Sequence, residues 1–274
     1  LNIFIDQSYI SKSFFLFYRY SLISFFICPF IIFLIGMYDD RFNLDPTKKL
    51  LFTAIVVTFG VLSDPNLVIE NLKFEFIDYE FNLNRLNQAF TILCILLFIN
   101  AFNMLDGINL LAGLYSLFLF SIIYFFKVPD PFIALFSLAI FTYLILNAFN
   151  KIFLGDSGTL LLGYLLATVT IFSYNVQDKF FPEEVFFLML FPGLEILRLS
   201  LTRIVNEKNA FSPDRNHLHH LLLARFGYLF SLSLILSLIV IPNLLYYMFN
   251  FDIITLIFST VIIYLFLIIY LKYY

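Results

Sequence analysis

The stretch Phe226–Phe249, FGYLFSLSLILSLIVIPNLLYYMF, is followed almost at once by Ile253–Leu271, IITLIFSTVIIYLFLIIYL, and neither run contains a Lys, Arg, Asp or Glu. A helix rises about 1.5 Å per residue, so about 20 apolar residues cross the hydrocarbon of a bilayer. Two such runs separated by three residues read as a pair of antiparallel spans. The same reading applied toward the N-terminus finds runs near Leu22–Met37, Leu50–Leu62, Leu86–Ile99, Ile108–Phe126, Pro131–Phe149, Thr159–Tyr174 and Val185–Leu201. The expected fold is an all-α polytopic membrane protein with about nine transmembrane helices, forming one integral domain over residues 1–274.

Composition excludes the alternatives. Hydrophobic residues make up 62% and charged residues 13% of the 274, and mean hydropathy is +0.95. A soluble domain is about 45–50% apolar and about 25% charged. Disorder and a disulfide scaffold fail on the same numbers. A net charge of -3 leaves no basic face for nucleic acid. Cys28 and Cys94 each lie in an apolar run and read as membrane-buried thiols.

Leu1–Tyr20, with Lys12 and Arg19, reads as an interfacial helix or the remnant of an earlier span, and a first residue of Leu predicts processing or truncation upstream. Between the second and third runs, apolar residues alternate from Leu72 to Leu83 with one phase slip, which predicts a hairpin within residues 66–84. An open sheet cannot face lipid, so this element belongs in water. Counting spans puts 10 Lys and Arg on one side and 6 on the other. The positive-inside rule makes the first side cytoplasmic and the hairpin extracytoplasmic.

Four loops on that first side hold nearly all the unusual polar residues. They read GMYDDRFNLDPTKKL (36–50), NAFNMLDGIN (100–109), NKIFLGDSGT (150–159) and, with a lead-in helix, FPGLEILRLSLTRIVNEKNAFSPDRNHLHH (191–220). The adjacent Asp39 and Asp40 repel each other unless a cation or a proton intervenes. Asp106, among Asn100, Asn103 and Asn109, and Asp156, in a Gly-Asp-Ser-Gly turn, are hard oxygen donors of the kind that suit Mg²⁺ with a phosphate. The chain's three His, at 217, 219 and 220, cluster beside Arg215 and read as a wall of donors for an anion. Spacing alone also admits zinc there, which the oxygen-rich surroundings disfavour. Glu195 and Arg198, after Pro192 and Gly193, are either an i,i+3 pair or part of the site. Gly60, Gly113 and Gly163 read as close-packing positions between helices.

The set DDxxxLxPxxKL, NxxNxxDGxN, KIFLGDSGT and PDRNHLHH resembles the polyprenyl-phosphate N-acetylhexosamine-1-phosphate transferase superfamily, from about Gly36 to His220. The resemblance implies transfer of a sugar-1-phosphate from a UDP-N-acetyl sugar to undecaprenyl phosphate with release of UMP. It implies a bacterial inner-membrane enzyme with its site facing the cytoplasm, initiating cell-envelope polysaccharides such as lipopolysaccharide O-antigen. By the same resemblance Asp156 holds Mg²⁺ (or Mn²⁺), and Asp39, Asp40, Asp106, His217, His219 and His220 are catalytic. Lys49, Asn100, Asn103, Asn109, Phe153 and Arg215 contact substrate. Asn109-Leu110 stands where many members have Asp-Gly, Glu195 where an Asp is usual, and members carry two further spans before the Asp pair. The expected partners are the UDP-sugar, the lipid phosphate and the bilayer, and a homodimer is compatible with such an enzyme. Readings that compete are another UDP-sugar (a fucosamine or quinovosamine derivative), an inactive remnant, and a transporter. A transporter is disfavoured because its polar residues would lie at mid-membrane.

Overall fold

A computed structural model describes residues 21–77, 79–205, 207 and 217–273. The segment Leu1–Tyr20 and Arg215 lie outside the described residues. Eleven helices follow one another: α1 (Ile23–Phe42), α2 (Pro46–Ser63), α3 (Asn84–Asn103), α4 (Leu111–Lys127), α5 (Pro131–Ala148) and α6 (Gly155–Gln177), then α7 (Pro182–Leu188), α8 (Leu190–Val205), α9 (Leu218–Phe226), α10 (Tyr228–Phe249) and α11 (Ile253–Tyr273). Every apolar run found in the sequence is helical. Seven of these helices, among the described residues, are long and apolar enough to cross a membrane, and α7 with α8 makes an eighth if the bent pair is one span. α4 is shorter than a usual span. The count is therefore seven or eight, against the expected nine, because one run is bent and another is short.

Proline explains the bend. α7 and α8 meet at 70°. Pro192, in the first turn of α8, has no N–H to give the carbonyl four residues back, that of Leu188. The buried Tyr115 hydroxyl donates to that carbonyl instead, at 2.7 Å. The start of α1 repeats the device. Its first turn is a π-turn over Ile23–Ile27, and Pro29 follows in the next. A π-turn pairs residue i with i+5, so the Ser24 carbonyl would need an N–H from Pro29. Tyr164 of α6 donates its hydroxyl there at 2.9 Å.

α6 is the central helix. In its most apolar 18-residue window 78% of residues are buried, against 22–39% in the other spans. Its sequence suits that place: Gly163 allows close approach to Ile99 of α3, and hydroxyls satisfy themselves on their own helix, Thr168 to Tyr164 O, Thr170 to Leu166 O and Ser173 to Val169 O. The outer helices turn apolar side chains outward. On α11 the stripe Phe258, Ile262, Phe266 and Ile269 is 55–70% exposed, which lipid accepts and water would not.

β1 (Asn71–Lys73) and β2 (Glu80–Asn82) pair antiparallel with Leu72 opposite Phe81. The hairpin packs on the C-terminal end of α6, where Tyr174 donates to Asn71 O at 2.8 Å and Asn175 to Asn66 O at 2.8 Å. Since Tyr174 and Asn175 lie about 20 residues after Gly155, the hairpin is about 30 Å from the helix's N-terminus. That N-terminus carries Asp156.

Candidate active site

The four polar loops converge at the N-terminal end of α6. Asp39 and Asp40 occupy the last turn of α1, about 100° apart around the helix axis, and the fold uses that angle to separate them. Asp39 is buried. One of its oxygens accepts the Leu44 N–H at 2.6 Å, and the other meets Lys49 Nζ at 2.7 Å. Asn43 in the left-handed conformation ends α1 and Asp45 caps α2, so Lys49 returns one turn into α2 to face Asp39. Lys49 Nζ also lies 2.9 Å from Asp156 Oδ1 and so bridges two carboxylates.

Asp40 points the other way, onto the start of α6. Its two oxygens accept the N–H groups of Asp156 at 2.7 Å and Ser157 at 3.1 Å. A carboxylate here satisfies orphan donors and meets the positive end of the helix dipole. The fit depends on glycine. A Cβ on Gly36 would lie 2.3 Å from Ser157 Cα, and Gly155 has φ +63°, with a would-be Cβ 2.8 Å from Asp40 Oδ1.

Asp106 lies in the α3–α4 turn. Burial pushes its carboxyl up to about 7, helped by the charges of Asp156 and Asp40, while the Gly155 backbone N–H pulls the other way. Asn103 accepts a short hydrogen bond from Thr159, tying α3 to α6. Asn100, a turn earlier, donates to its own helix at Leu96 O. Asn109 links loops instead of facing the carboxylates: it donates to Asn147 O at 3.2 Å and Asn150 Oδ1 at 2.9 Å, and its carbonyl accepts from Tyr228. Phe153 is 74% exposed on the loop before α6.

The histidines enter from above the α3–α4 turn. His217 and His219 stack with ring centroids 5.1 Å apart, and His220 lies 4.3 Å from His219. His219 presses on Gly107 so closely that a Cβ there would be 1.8 Å from Nε2. Burial first, then its two neighbouring imidazoles, pushes His219 down to about 3, so it is neutral at physiological pH. Glu195 organises the segment from below. It accepts from Arg198 at 3.0 Å, from the Tyr264 hydroxyl at 2.6 Å and from Leu218 N–H at 3.3 Å, with His217 Nδ1 at 3.7 Å.

The fold thus gathers Asp39, Asp40, Lys49, Asp106 and Asp156, with Asn103 and the histidines alongside. It commits Asn109 to loop packing and Asn100 to its own helix. Sequence reasoning missed Asn147 and Tyr264. Asn147 is fully buried, accepting from Leu110 N–H at 3.0 Å and donating to Ile152 O at 2.7 Å, which joins two of the loops. An amide inside the apolar run of α5 was its visible signal. Tyr264 had none, being one of 17 tyrosines.

Asp39 and Asp156 share one ammonium, that of Lys49, and the charges of Asp156 and Asp40 add to burial in raising Asp106. That surplus fits a divalent cation. Among the described residues no three Asp, Glu, His or Cys side chains are grouped so as to hold a metal ion by themselves.

Fold and site together define a polytopic helical membrane protein whose polar chemistry is gathered at one end of the bundle. Residues 22–174, spanning α1 to α6 and all four of these aspartates, match glycosyl transferase family 4. Over 237 residues the chain is 31% identical to the undecaprenyl-phosphate alpha-N-acetylglucosaminyl 1-phosphate transferase of Thermotoga maritima, covering 81% of this chain and 68% of that protein. It is 28% identical over 214 residues to the protein of the same name from Escherichia coli K12, covering 72% of this chain and 56% of that one. For the Yersinia pestis protein of that name the figures are 26% over 208 residues, 72% and 57%. The chain belongs to glycosyl transferase family 4. It spans a little over half the length of the Escherichia and Yersinia relatives.

Proposed function

We propose that the protein transfers N-acetylhexosamine-1-phosphate from a UDP-sugar to undecaprenyl phosphate, releasing UMP at the cytoplasmic face of a bacterial inner membrane. The observation that carries this reading is the aspartate cluster around Lys49 at the N-terminus of α6. Relatives named for transfer to undecaprenyl phosphate support it. Such a site, at the end of a bundle of spans, is where a lipid phosphate and a water-soluble nucleotide can meet.

In the reaction a lipid-phosphate oxygen attacks the phosphorus that carries the sugar. The bond from that phosphorus to the bridging oxygen breaks, UMP leaves with the electron pair, and a polyprenyl diphosphate sugar forms. Both substrates are anionic, so catalysis is mostly positioning and charge compensation. Asp156 and Asp106 would hold Mg²⁺, which when bound supplies charge neutralisation at the diphosphate. Lys49, fixed between Asp39 and Asp156, offers a cation to a substrate phosphate. Asp40 holds the α6 terminus that aims Asp156. A neutral His219 donates one ring N–H to a phosphate oxygen and adds no charge, and Arg215 supplies a cation. Asp39 orients Lys49. A phosphate with a second pKa about 6 needs little help to ionise.

The test is UMP release by membranes expressing this chain, supplied with undecaprenyl phosphate, UDP-N-acetylglucosamine and Mg²⁺, beside an Asp156→Asn control. Release that requires Mg²⁺ and disappears in the variant is the expected result. Release unchanged in the variant would refute the assignment.

A further inference from the structure

At the end of the bundle opposite the aspartates, a cavity of about 560 Å³ opens between the hairpin, the end of α4, the start of α7 and the α10–α11 turn. That is the size of pockets that hold small molecules, about 300–1,000 Å³. Its wall contains two adjacent buried glutamates in different states. Glu184 is saturated: it accepts from Lys127 on both oxygens at 2.6 and 2.8 Å, from the Tyr246 hydroxyl at 2.9 Å and from Phe181 N–H at 2.8 Å. Among the described residues Glu183, 4% exposed, accepts only the Glu75 N–H, at 2.7 Å on Oε1. Its Oε2 is buried and, among the described residues, has no hydrogen-bond partner; the same holds for the Tyr247 hydroxyl, and both residues line the cavity.

A buried carboxylate oxygen left unpaired is costly, and it can only accept. What it needs is a donor, and the cavity's charge asks for a cation. Among the described residues Lys127 is the only cationic one lining the cavity and Glu184 already holds it, while Glu75 and Asp252 add two carboxylates at the rim. Phe126 and Phe251 contribute aromatic wall, which suits an organic cation. Among the described residues no three acidic or imidazole groups converge as a metal cage. We infer that this cavity binds a primary ammonium group, held by Glu183 Oε2 and the Tyr247 hydroxyl. Aminophospholipid headgroups and soluble polyamines both carry that chemistry. The inference is independent of the transferase reading, because it concerns the other end of the molecule.

The full chain in phosphatidylcholine nanodiscs is titrated with ethanolamine and, separately, with spermidine at constant ionic strength, following the thermal unfolding midpoint. A parallel sample replaces phosphatidylcholine, whose headgroup has no N–H, by phosphatidylethanolamine. Glu183→Gln keeps an oxygen for the Glu75 N–H, so it preserves the hairpin contact while removing the charge. The wild-type midpoint is expected to rise with ethanolamine, and Glu183→Gln to weaken that response by roughly 30-fold or more. Tyr247→Phe, which leaves Glu183 untouched, reduces it less. A further rise only in phosphatidylethanolamine identifies a headgroup, and one with spermidine identifies a free polyamine. A midpoint that ignores all three amines, or responds equally in both variants and wild type, overturns the inference.

Discussion

Gly36→Ala adds one methyl group and should disable the site. The new Cβ would lie 2.3 Å from Ser157 Cα and 2.6 Å from Asp156 O and Ser157 N. All three are backbone atoms, so no side-chain rotation relieves the contact. Ordinary contact begins near 3.4 Å, so α1 and α6 must part by about 1.1 Å. The same displacement carries the Asp40 hydrogen bonds, now 2.7 and 3.1 Å, to roughly 3.8 and 4.2 Å, beyond bonding range. Overpacking costs about 1–3 kcal/mol, and each bond to a charged group about 1.5–3 kcal/mol. The two effects share one displacement, so a combined loss of about 3–5 kcal/mol is expected. For a protein of this size that is a fall of about 10 °C in the unfolding midpoint. Since α6 aims Asp156, a shift of about 1 Å should also lower UMP release on the order of 100-fold. The assays are thermal unfolding in detergent and turnover in membranes. Gly193→Ala is the control: no atom lies within 4 Å of its would-be Cβ, and helix propensity should add about 0.5–1 kcal/mol of stability. A Gly36→Ala protein that melts within a degree or two of wild type and turns over normally would show that the α1–α6 approach does not hold the site together.

Three further outcomes are expected. Asp106 titrates near 7 in the fold against an ordinary 3.8, so the folded state binds its proton more tightly. Without divalent cations, stability should fall as pH rises from about 4 to about 7 and then level off; Asp106→Asn should flatten that slope, and an unchanged slope from pH 5 to 8 would count against it. Gly107→Ala puts a Cβ 1.8 Å from His219 Nε2 and should destabilise by about 1–3 kcal/mol, but far less in a His219→Ala background, which a double-mutant cycle of unfolding midpoints checks. Tyr264→Phe removes a 2.6 Å bond to the buried Glu195 and should cost about 1.5–3 kcal/mol, while Tyr270→Phe, on the exposed side of α11, should cost much less in the same melt.

Hydropathy made the fold class legible, because a bilayer demands a length and a composition that a sequence displays directly. The polar loops were legible for a related reason. In a chain 13% charged, Asp39, Asp40, Asp106, Asp156 and the three histidines stand out wherever they fall. The bend before Pro192 was visible as an interruption. Its 70° angle was not, since that depends on where Tyr115 waits to take the freed carbonyl.

What the sequence by itself determined is which residues are expensive to place in a membrane, and so which must find partners at its surface. Only the tertiary structure decided the partners. It sent Asp39 to Lys49 and Asp40 to the α6 terminus, spent Asn109 on a neighbouring loop, and tied Glu195 to Tyr264, 69 residues away. The physical reason is range. Apolar periodicity and turn chemistry act within a few residues and can be read locally. Hydrogen bonds between buried polar groups are set by which helices lie side by side, and the close approach that Gly36 permits is a property of α1 and α6 together.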